Sequence, residues 1–340
     1  MKLSSVQIRN AIVQKLISGA FFSGEQLGSE LGISRAAVAK HIKSLQELGL
    51  DIFSVSGRGY KLAHAISLFD EQAISAALPG YQNKLFILPV IHSTNDFLKE
   101  QLANDGLVQG AVCMAEAQTA GRGRQGRKWV SPFGCSLYFS MYWEFTGGFQ
   151  AISGLSLAVG LAVVRTLSAL GANNVGLKWP NDVYWDGKKL AGILVDVEGN
   201  MHDQCQAIIG LGINIALPNN VESIDQPYVD LKTVLASCEQ QEVDKNQLVI
   251  NIITTLNTIM AQFELQGLAP FVDEWNALDV FQDKPVRLIH GEHEIAGLAK
   301  GIDPSGALRL QITDESGNAV IRSFFGGEVS GGTVSVRPQT

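Results

Sequence analysis

The sequence predicts an α+β protein in three parts: a helical N-terminal domain ending in a two-stranded wing, a central mixed β-sheet with helices on one side, and a small C-terminal β-barrel. Three observations predict it. Charge divides unevenly along the 340 residues, the apolar periodicity changes near residue 65, and turn-forming residues become dense after Lys284. Residues 1–62 hold eight Lys/Arg against four Asp/Glu, leaving 18 against 29 for the remainder and −7 for the whole. That balance excludes a general nucleic-acid coater and gives the N-terminal part its own electrostatic task. With 46% hydrophobic and 17% charged residues, disordered and collagen-like chains are excluded as well.

Residues 4–20 place Val6, Ile8, Ala11, Ile12, Leu16 and Ile17 at near-helical spacing, which predicts a first helix. Ser23 and Ser34 are each positioned to cap a following helix and Gly32 to stop the first of the two, so residues 22–45 predict a helix-turn-helix. In its second helix Val38, Ile42 and Leu45 turn inward, leaving Arg35, Ala36, Ala39, Lys40 and Lys43 outside. Small residues among cations suit a major groove, with Ser34 and Arg35 at the helix N-terminus where base edges are read. After Gly49, Ile52–Val55 and Tyr60–Leu62 flank a turn that puts Arg58 at the tip of a wing. The candidate DNA contacts are thus Ser34, Arg35, Ala36, Lys40, Lys43 and Arg58. A helical domain for protein contacts is the alternative; the local excess of cations and the wing favour DNA.

From residue 65 to 270 strands are predicted at Leu85–Val90, Ala111–Glu116, Ser136–Glu144, Val175–Trp179, Leu190–Val197 and Gln204–Ile215. Helices are predicted at Asn95–Ala103, Ser153–Leu170, Gln247–Gln266 and Pro270–Ala277, and a mixed sheet with helices on one side accommodates both. Phe145–Val164 runs 20 residues without a charge, the length of a membrane span. Its four glycines and several polar residues leave only 12 hydrophobic, which predicts a buried helix closing at Gly171 and no membrane partner. Beyond Lys284, strands at intervals of about eight to twelve residues separated by turns predict the barrel. Boundaries near 64 and 275 give domains 1–64, 65–275 and 276–340. Four cysteines without C-x-x-C spacing indicate neither a zinc ribbon nor a disulfide framework. The N-terminus lacks the apolar core of a signal peptide, so the expected compartment is the cytoplasm.

Two segments carry candidate chemistry. Gly121-Arg122-Gly123-Arg124-Gln125-Gly126-Arg127-Lys128-Trp129 fits G-x-G-x-x-G. Yet Trp129-Val130-Ser131-Pro132 follows where a dinucleotide fingerprint needs a helix, and no G-K-[ST] marks a Walker loop. Four cations in seven residues suit phosphate neutralisation without a helix dipole. Glycine permits close backbone approach, arginine offers bidentate donors, and Trp129 offers a face for a base. A solvated charged loop and an RNA-contacting Gly/Arg segment remain the alternatives. Lys178-Trp179-Pro180-Asn181-Asp182 and Lys188–Val195 predict a strand, a tight turn and a strand, in which only one of Lys188 and Lys189 can face a ligand.

Taken in order, the Gly121–Trp129 segment with Ser131-Pro132, then Lys178–Asp182 with Lys189-Leu190 and Gly192-Ile193-Leu194, then Gly212-Ile213-Asn214, resemble the motifs of the biotin-protein ligases. With the N-terminal domain attached, the chain is similar over nearly its full length to the bacterial bifunctional biotin ligases that double as biotin operon repressors. The resemblance implies a class II synthetase-like core, an SH3-like C-terminal barrel, and biotin, ATP and Mg²⁺ as substrates and cofactor. It implies adenylation of biotin, then transfer to a lysine of the biotin carboxyl carrier protein of acetyl-CoA carboxylase. When that acceptor runs short, the adenylate-bound protein forms a homodimer on biotin operator DNA. By the family pattern Ser93, Thr94, Asn95 and Gln118 hold biotin's ureido and ring end. Arg122, Gly123 and Arg124 hold the acyl-phosphate region and Lys189 the reacting carboxylate and α-phosphate, which makes Arg124 and Lys189 catalytic. Trp129, Asn181 and Asn214 lie along the adenylate, and Asp182 is the candidate metal ligand or transfer base. Leu217–Leu235, with Tyr228, is expected to close over the adenylate. The chain departs from the pattern at Gln125, where arginine is common, at Val130, where an aromatic is frequent, and in an apparent five-residue insertion before Arg337. A lipoate or octanoate ligase would share the core and the lysine but not usually the N-terminal domain. A ligand-sensing repressor with an inactive ligase domain fits poorly with an intact Lys189 and four loop cations.

Overall fold

The computed structural model describes residues 3–63, 68–81, 84–199, 204–217, 224–240 and 244–331. Three helices open the chain: α1 (Ser5–Leu16), α2 (Gly24–Leu31) and α3 (Arg35–Glu47). Ser4, Ser23 and Ser34 each accept a first-turn amide N–H, the cap expected of serine at that position. α1 ends at Leu16, short of the predicted residue 20, and Gly19 follows with φ +71°. Val38, Ile42 and Leu45 are buried, while Arg35, Ala36, Ala39, Lys40 and Lys43 are exposed, as the spacing predicts. β1 (Ile52–Val55) and β2 (Gly59–Leu62) pair antiparallel around a turn that exposes Arg58. Phe22 bridges Tyr60 on β2 at a point where only glycine fits beside it, because a Cβ on Gly59 would lie 2.1 Å from Phe22 O.

The chain continues through α4 (Glu71–Ala77), β3 (Leu85–Ile91), α5 (Thr94–Asp105), β4 (Val112–Gln118), β5 (Ser136–Thr146), α6 (Leu155–Ala169), β6 (Gly176–Lys178), β7 (Asp182–Trp185), β8 (Lys188–Gly199) and β9 (Gln204–Asn214), then α7 (Leu231–Ser237), α8 (Lys245–Gln266) and α9 (Val272–Ala277). It divides into two compact units, Met1–Tyr142 with Gly210–Ser223 and Trp143–Ile209 with Ile224–Thr340. In the first unit β3 runs parallel to β4 and β4 antiparallel to β5, with β9 next in order, which is the predicted mixed sheet. α5 packs on β4, and both α4 and α1 pack on β3. Through that last contact Ile8, Ile12, Val13 and Leu16 share one apolar cluster with Val90, Ala117 and Phe133. Two buried-edge hydrogen bonds reinforce it: Val90 N–H to Asn10 Oδ1 at 2.7 Å, and Phe133 N–H to Leu48 O at 2.7 Å.

In the second unit β6, β7 and β8 form an antiparallel ladder with β9 beyond β8. α6 lies on these strands and α8 packs against α6. α8 and the stretch Gly148–Ala169 that contains α6 reach the length and hydropathy of a span, but they bury Leu155, Leu161, Val163, Val249, Ile253 and Leu256 inside the protein. Within the uncharged stretch Phe145–Val164 the predicted helix Ser153–Leu170 is present as α6, two residues shorter at its start and one at its end. β5 extends to Thr146, and Gly147, Gly148 and Gly154 take left-handed φ of +105°, +67° and +78°, breaking the chain before α6 starts. β7 replaces the predicted single tight turn, and the reversal is made by Asp186 and Gly187 at positive φ. α4 and α7 were not predicted; each is seven residues, too short to show a period, and is capped by an aspartate, Asp70 or Asp230.

Beyond α9, β10 (Pro285–His290), β11 (His293–Ile302), β12 (Leu308–Thr313), β13 (Ala319–Phe324) and β14 (Glu328–Gly331) follow as an all-antiparallel sheet. Among the described residues its ladder is open, in the order β13-β12-β11-β10-β14, where the sequence predicts a closed barrel. Val286, Leu288, Ala299, Ile302, Leu308, Leu310 and Val329 form its core. Arg337 and most of the insertion before it lie outside the described residues.

Candidate active site and nucleic-acid face

β3 leads through His92 and Ser93 into α5, and polar residues gather at that helix start. Ser93 Oγ accepts the Asp96 N–H at 3.3 Å, so Ser93 is the cap of α5, with Thr94 and Asn95 in the first turn. All three are buried, and buried polar groups need partners. Ser140 on β5 supplies one: its hydroxyl lies 2.7 Å from Thr94 Oγ1 and 2.6 Å from Asn95 Oδ1. Gln118, at the end of β4, accepts the Thr94 N–H at 2.9 Å and donates to Ser131 Oγ at 3.2 Å, and Ser131 donates to Trp129 O at 3.1 Å. Asn95 fits against β9 because residue 210 is glycine, where a Cβ would stand 2.4 Å from Asn95 Oδ1. This neutral chain of hydroxyls and amides offers both donors and acceptors to an uncharged polar group.

Residues 121–129 fold as a tight hairpin. Trp129 N–H donates to Gly121 O at 2.9 Å and Gly123 N–H to Arg127 O at 2.7 Å, with one turn of 3₁₀ helix, Arg124–Gly126, at the tip. No helix opens here, in line with the rejection of a dinucleotide fingerprint. Gln125 holds a left-handed φ of +56° within that tip. At the root, a Cβ on Gly121 would lie 2.7 Å from Ser131 Oγ and 2.9 Å from Gln118 Nε2, so the hairpin is fitted onto the polar chain. The Trp129 indole rests against Gly212 of β9, and Asn214 is buried two residues along that strand. Tyr138 OH donates to Pro132 O at 2.8 Å, and burial pushes the Tyr138 phenol up. Arg122 forms an ion pair with Asp96 Oδ1 at 2.5 Å.

The other predicted residues belong to the second unit. Asn181 follows a cis Trp179–Pro180 bond and is locked onto β8, its Nδ2 donating to Ile193 O at 2.7 Å while Ile193 N–H donates to Asn181 O at 3.0 Å. Lys189 Nζ lies 2.8 Å from Asp182 Oδ1, with both side chains 14% exposed. Lys188 is exposed and Lys189 half-buried, so the two point to opposite faces of the strand. The backbone of Lys189 also receives Pro227–Val229 as a short parallel bridge, which sets Tyr228 alongside. Residues 218–223 of the expected closing segment lie outside the described residues. Burial pushes the Tyr184 phenol up, Asp182 adding to the rise and Lys189 opposing it. Among the described residues no three His, Cys, Asp or Glu converge as a metal site.

On the N-terminal helices the predicted DNA contacts share the solvent side of α3 and the β1–β2 turn. Phe21 lies under two cations, with Arg58 Cζ 5.5 Å and Lys61 Nζ 5.6 Å from its ring centre, a cation–π arrangement that steadies both. Sequence reasoning missed Ser140, Gly210 and Asp96. The signal for Ser140 was a hydroxyl inside an otherwise apolar strand; Gly210 and Asp96 gave none, because their partners are distant in sequence.

Three family models match the chain: HTH domain over residues 8–61, Biotin/lipoate A/B protein ligase family over 87–214, and Biotin protein ligase C terminal domain over 283–332. The bifunctional ligase/repressor BirA of Salmonella typhimurium is 43% identical over 320 residues, 94% of this chain and 96% of its own. That of Escherichia coli is 42% identical over 331 residues, 97% and 98%. A solved structure, the biotin protein ligase from Aquifex aeolicus in complex with biotin and ATP, is similar at TM-score 0.60 and 27% identity, over 73% of this chain and 97% of that one. The chain belongs to the biotin protein ligase family, and within it to the bifunctional ligase/repressors.

Proposed function

We propose that the protein condenses biotin with ATP to biotinyl-adenylate, transfers biotin to a lysine of the biotin carboxyl carrier protein of acetyl-CoA carboxylase, and represses the biotin operon with the adenylate as corepressor. The observation that carries the reading is the buried neutral chain Asn95–Ser140–Thr94–Gln118–Ser131 at the root of a cationic hairpin. It matches a ligand with an uncharged urea at one end and a carboxylate at the other. Ser93, Thr94, Asn95 and Gln118 take the ureido and ring end, Arg122, Gly123 and Arg124 the acyl-phosphate region, and Trp129, Asn181 and Asn214 the adenylate.

Biotin's carboxylate is ionised at neutral pH, so adenylation needs no general base. It needs cations where charge builds on the α-phosphate, and Arg124 and Lys189 are the groups assigned to it. Asp182 holds the Lys189 ammonium in place through their ion pair. Mg²⁺, when bound with ATP, would supply charge neutralisation on the leaving pyrophosphate, with Asp182 the carboxylate assigned beside it. In the transfer step the acceptor lysine, of intrinsic pKa about 10.4, must lose a proton, and Asp182 is the carboxylate assigned to that step. Residues 1–64 act as a winged helix-turn-helix reading operator DNA through Ser34, Arg35, Ala36, Lys40, Lys43 and Arg58, in an adenylate-bound homodimer. Residues 65–275 are the class II synthetase-like ligase domain and 276–340 a small SH3-like domain, in a cytoplasmic protein.

Biotin-dependent exchange of labelled pyrophosphate into ATP tests the reading, with lipoate and octanoate as controls. Exchange with biotin alone is expected, and its loss in Lys189→Ala with the thermal melt retained. No exchange with any of the three acids would leave a DNA-binding ligand sensor in its place.

A further inference from the structure

Asp96 stands one residue after the Thr94–Asn95 pair, on the first turn of α5, with its amide capped by Ser93. A carboxylate at a helix N-terminus is held there by the helix dipole as well as by its own backbone. Arg122, its partner, projects instead from the glycine-flanked hairpin. The two side chains are 41% and 40% exposed, so the ion pair is solvated and open to exchange. We infer that Asp96 sets the affinity of the site for the anionic end of its ligand, by competing with that anion for Arg122. The inference rests on the reading of Arg122 as an acyl-phosphate contact.

Any carboxylate or phosphate that approaches the Arg122 guanidinium meets a cation already paired with an internal carboxylate. If the anion displaces Asp96, one ion pair is exchanged for another. If it takes a second edge of the five-donor fork, it sits within a few ångströms of a like charge, which disfavours it. Both arrangements weaken binding of an anionic ligand and leave a neutral one untouched. Asp96 is therefore a charge-specific brake, and a ligand with no charge at that end does not feel it. Because the pair is exposed, the effect falls with salt.

Calorimetric titration of the full chain and of Asp96→Asn with biotin and with its uncharged amide tests this. Removing the carboxylate while keeping its shape should tighten biotin roughly two- to fivefold, the range of an exposed ion pair, and leave the amide unchanged. At about 1 M salt, where the Debye length is about 3 Å, the difference should shrink. Asp96→Glu, which keeps the charge, should restore the wild-type ratio of biotin to amide affinity. Equal shifts for both ligands, no shift for biotin, or weaker biotin binding in Asp96→Asn would each overturn the inference, the last by showing that Asp96 positions Arg122 rather than competing for it. Failure of the unaltered protein to bind biotin at all would overturn the functional reading, and this inference with it.

Discussion

Gly212→Ala is the sharpest available probe of the adenine end. A Cβ at residue 212 would lie 2.4 Å from both Cε2 and Cζ2 of Trp129 and 2.7 Å from its Nε1. Carbon atoms normally meet at about 3.5–4.0 Å, so the indole has to retreat by more than about 1 Å. It cannot retreat freely, because its backbone is tied on both sides, by Trp129 N–H to Gly121 O and by Ser131 Oγ to Trp129 O. Overpacking of this kind costs about 1–3 kcal/mol in stability. Base–aromatic stacking is worth about 1–3 kcal/mol, so displacing the ring should raise the KM for ATP by about five- to 150-fold. The KM for biotin should stay within about twofold, because the Asn95–Ser131 chain is untouched, a split that energies of this size make easy to resolve. Pyrophosphate exchange at varied ATP and varied biotin reads both constants. If the substitution acts through Trp129, adding it to Trp129→Ala should cost little more than Trp129→Ala alone. A folded Gly212→Ala protein with an unchanged KM for ATP, or with biotin and ATP weakened alike, would refute the placement of the nucleotide against this indole.

Asp279 is nine-tenths buried, and burial pushes its pKa from 3.8 to about 6 against the opposing pull of the Phe281 N–H and Lys284. The folded state therefore binds the proton more tightly, so stability falls as pH rises from about 4 to about 6 and remains reduced above, by about 3 kcal/mol at most. Asp279→Asn should stabilise the protein at about pH 8 and remove that slope, which urea unfolding at several pH values measures; an unaltered slope would assign the titration to another group. Lys40→Ala should lower the dependence of log operator affinity on log salt by roughly one, and an unchanged slope would remove Lys40 from the phosphate contacts.

The parts of the fold that were legible in the sequence are those held by local signals. Ser23, Gly32 and Ser34 mark three helix boundaries within twelve residues, and cap chemistry acts over three residues, so the helix-turn-helix follows from local sequence alone. In Phe145–Val164 the helix was legible but the break before it was not. The glycines of that stretch were weighed as a loss of hydrophobicity, whereas three of them act through backbone conformation, at positive φ, and end one element before starting another. Whether the C-terminal strands close depends on pairing between residues far apart in the chain, which no local pattern encodes. At the site the motif residues were legible by type, but their partners were not. Ser140 meets Asn95 across 45 residues and Arg122 meets Asp96 across 26, and only the fold brings such pairs together.

The packing of the first unit bears on how one chain can hold both duties of its family. Val90, whose amide is hydrogen-bonded to Asn10 of α1, is three residues before Ser93. Phe133, whose amide is hydrogen-bonded to Leu48 at the end of α3, is two residues after Ser131. The polar chain that begins at α5 and ends at the hairpin is thus fastened at one end to α1 and at the other to the end of α3, which carries most of the predicted DNA contacts, through one apolar cluster. A close-packed cluster transmits displacement rather than absorbing it. A rearrangement of Thr94, Gln118 or Ser131 about a ligand would meet α1 and the end of α3 within a few residues. Coupling of ligand occupancy to operator affinity would require a differential contact of this kind between two states.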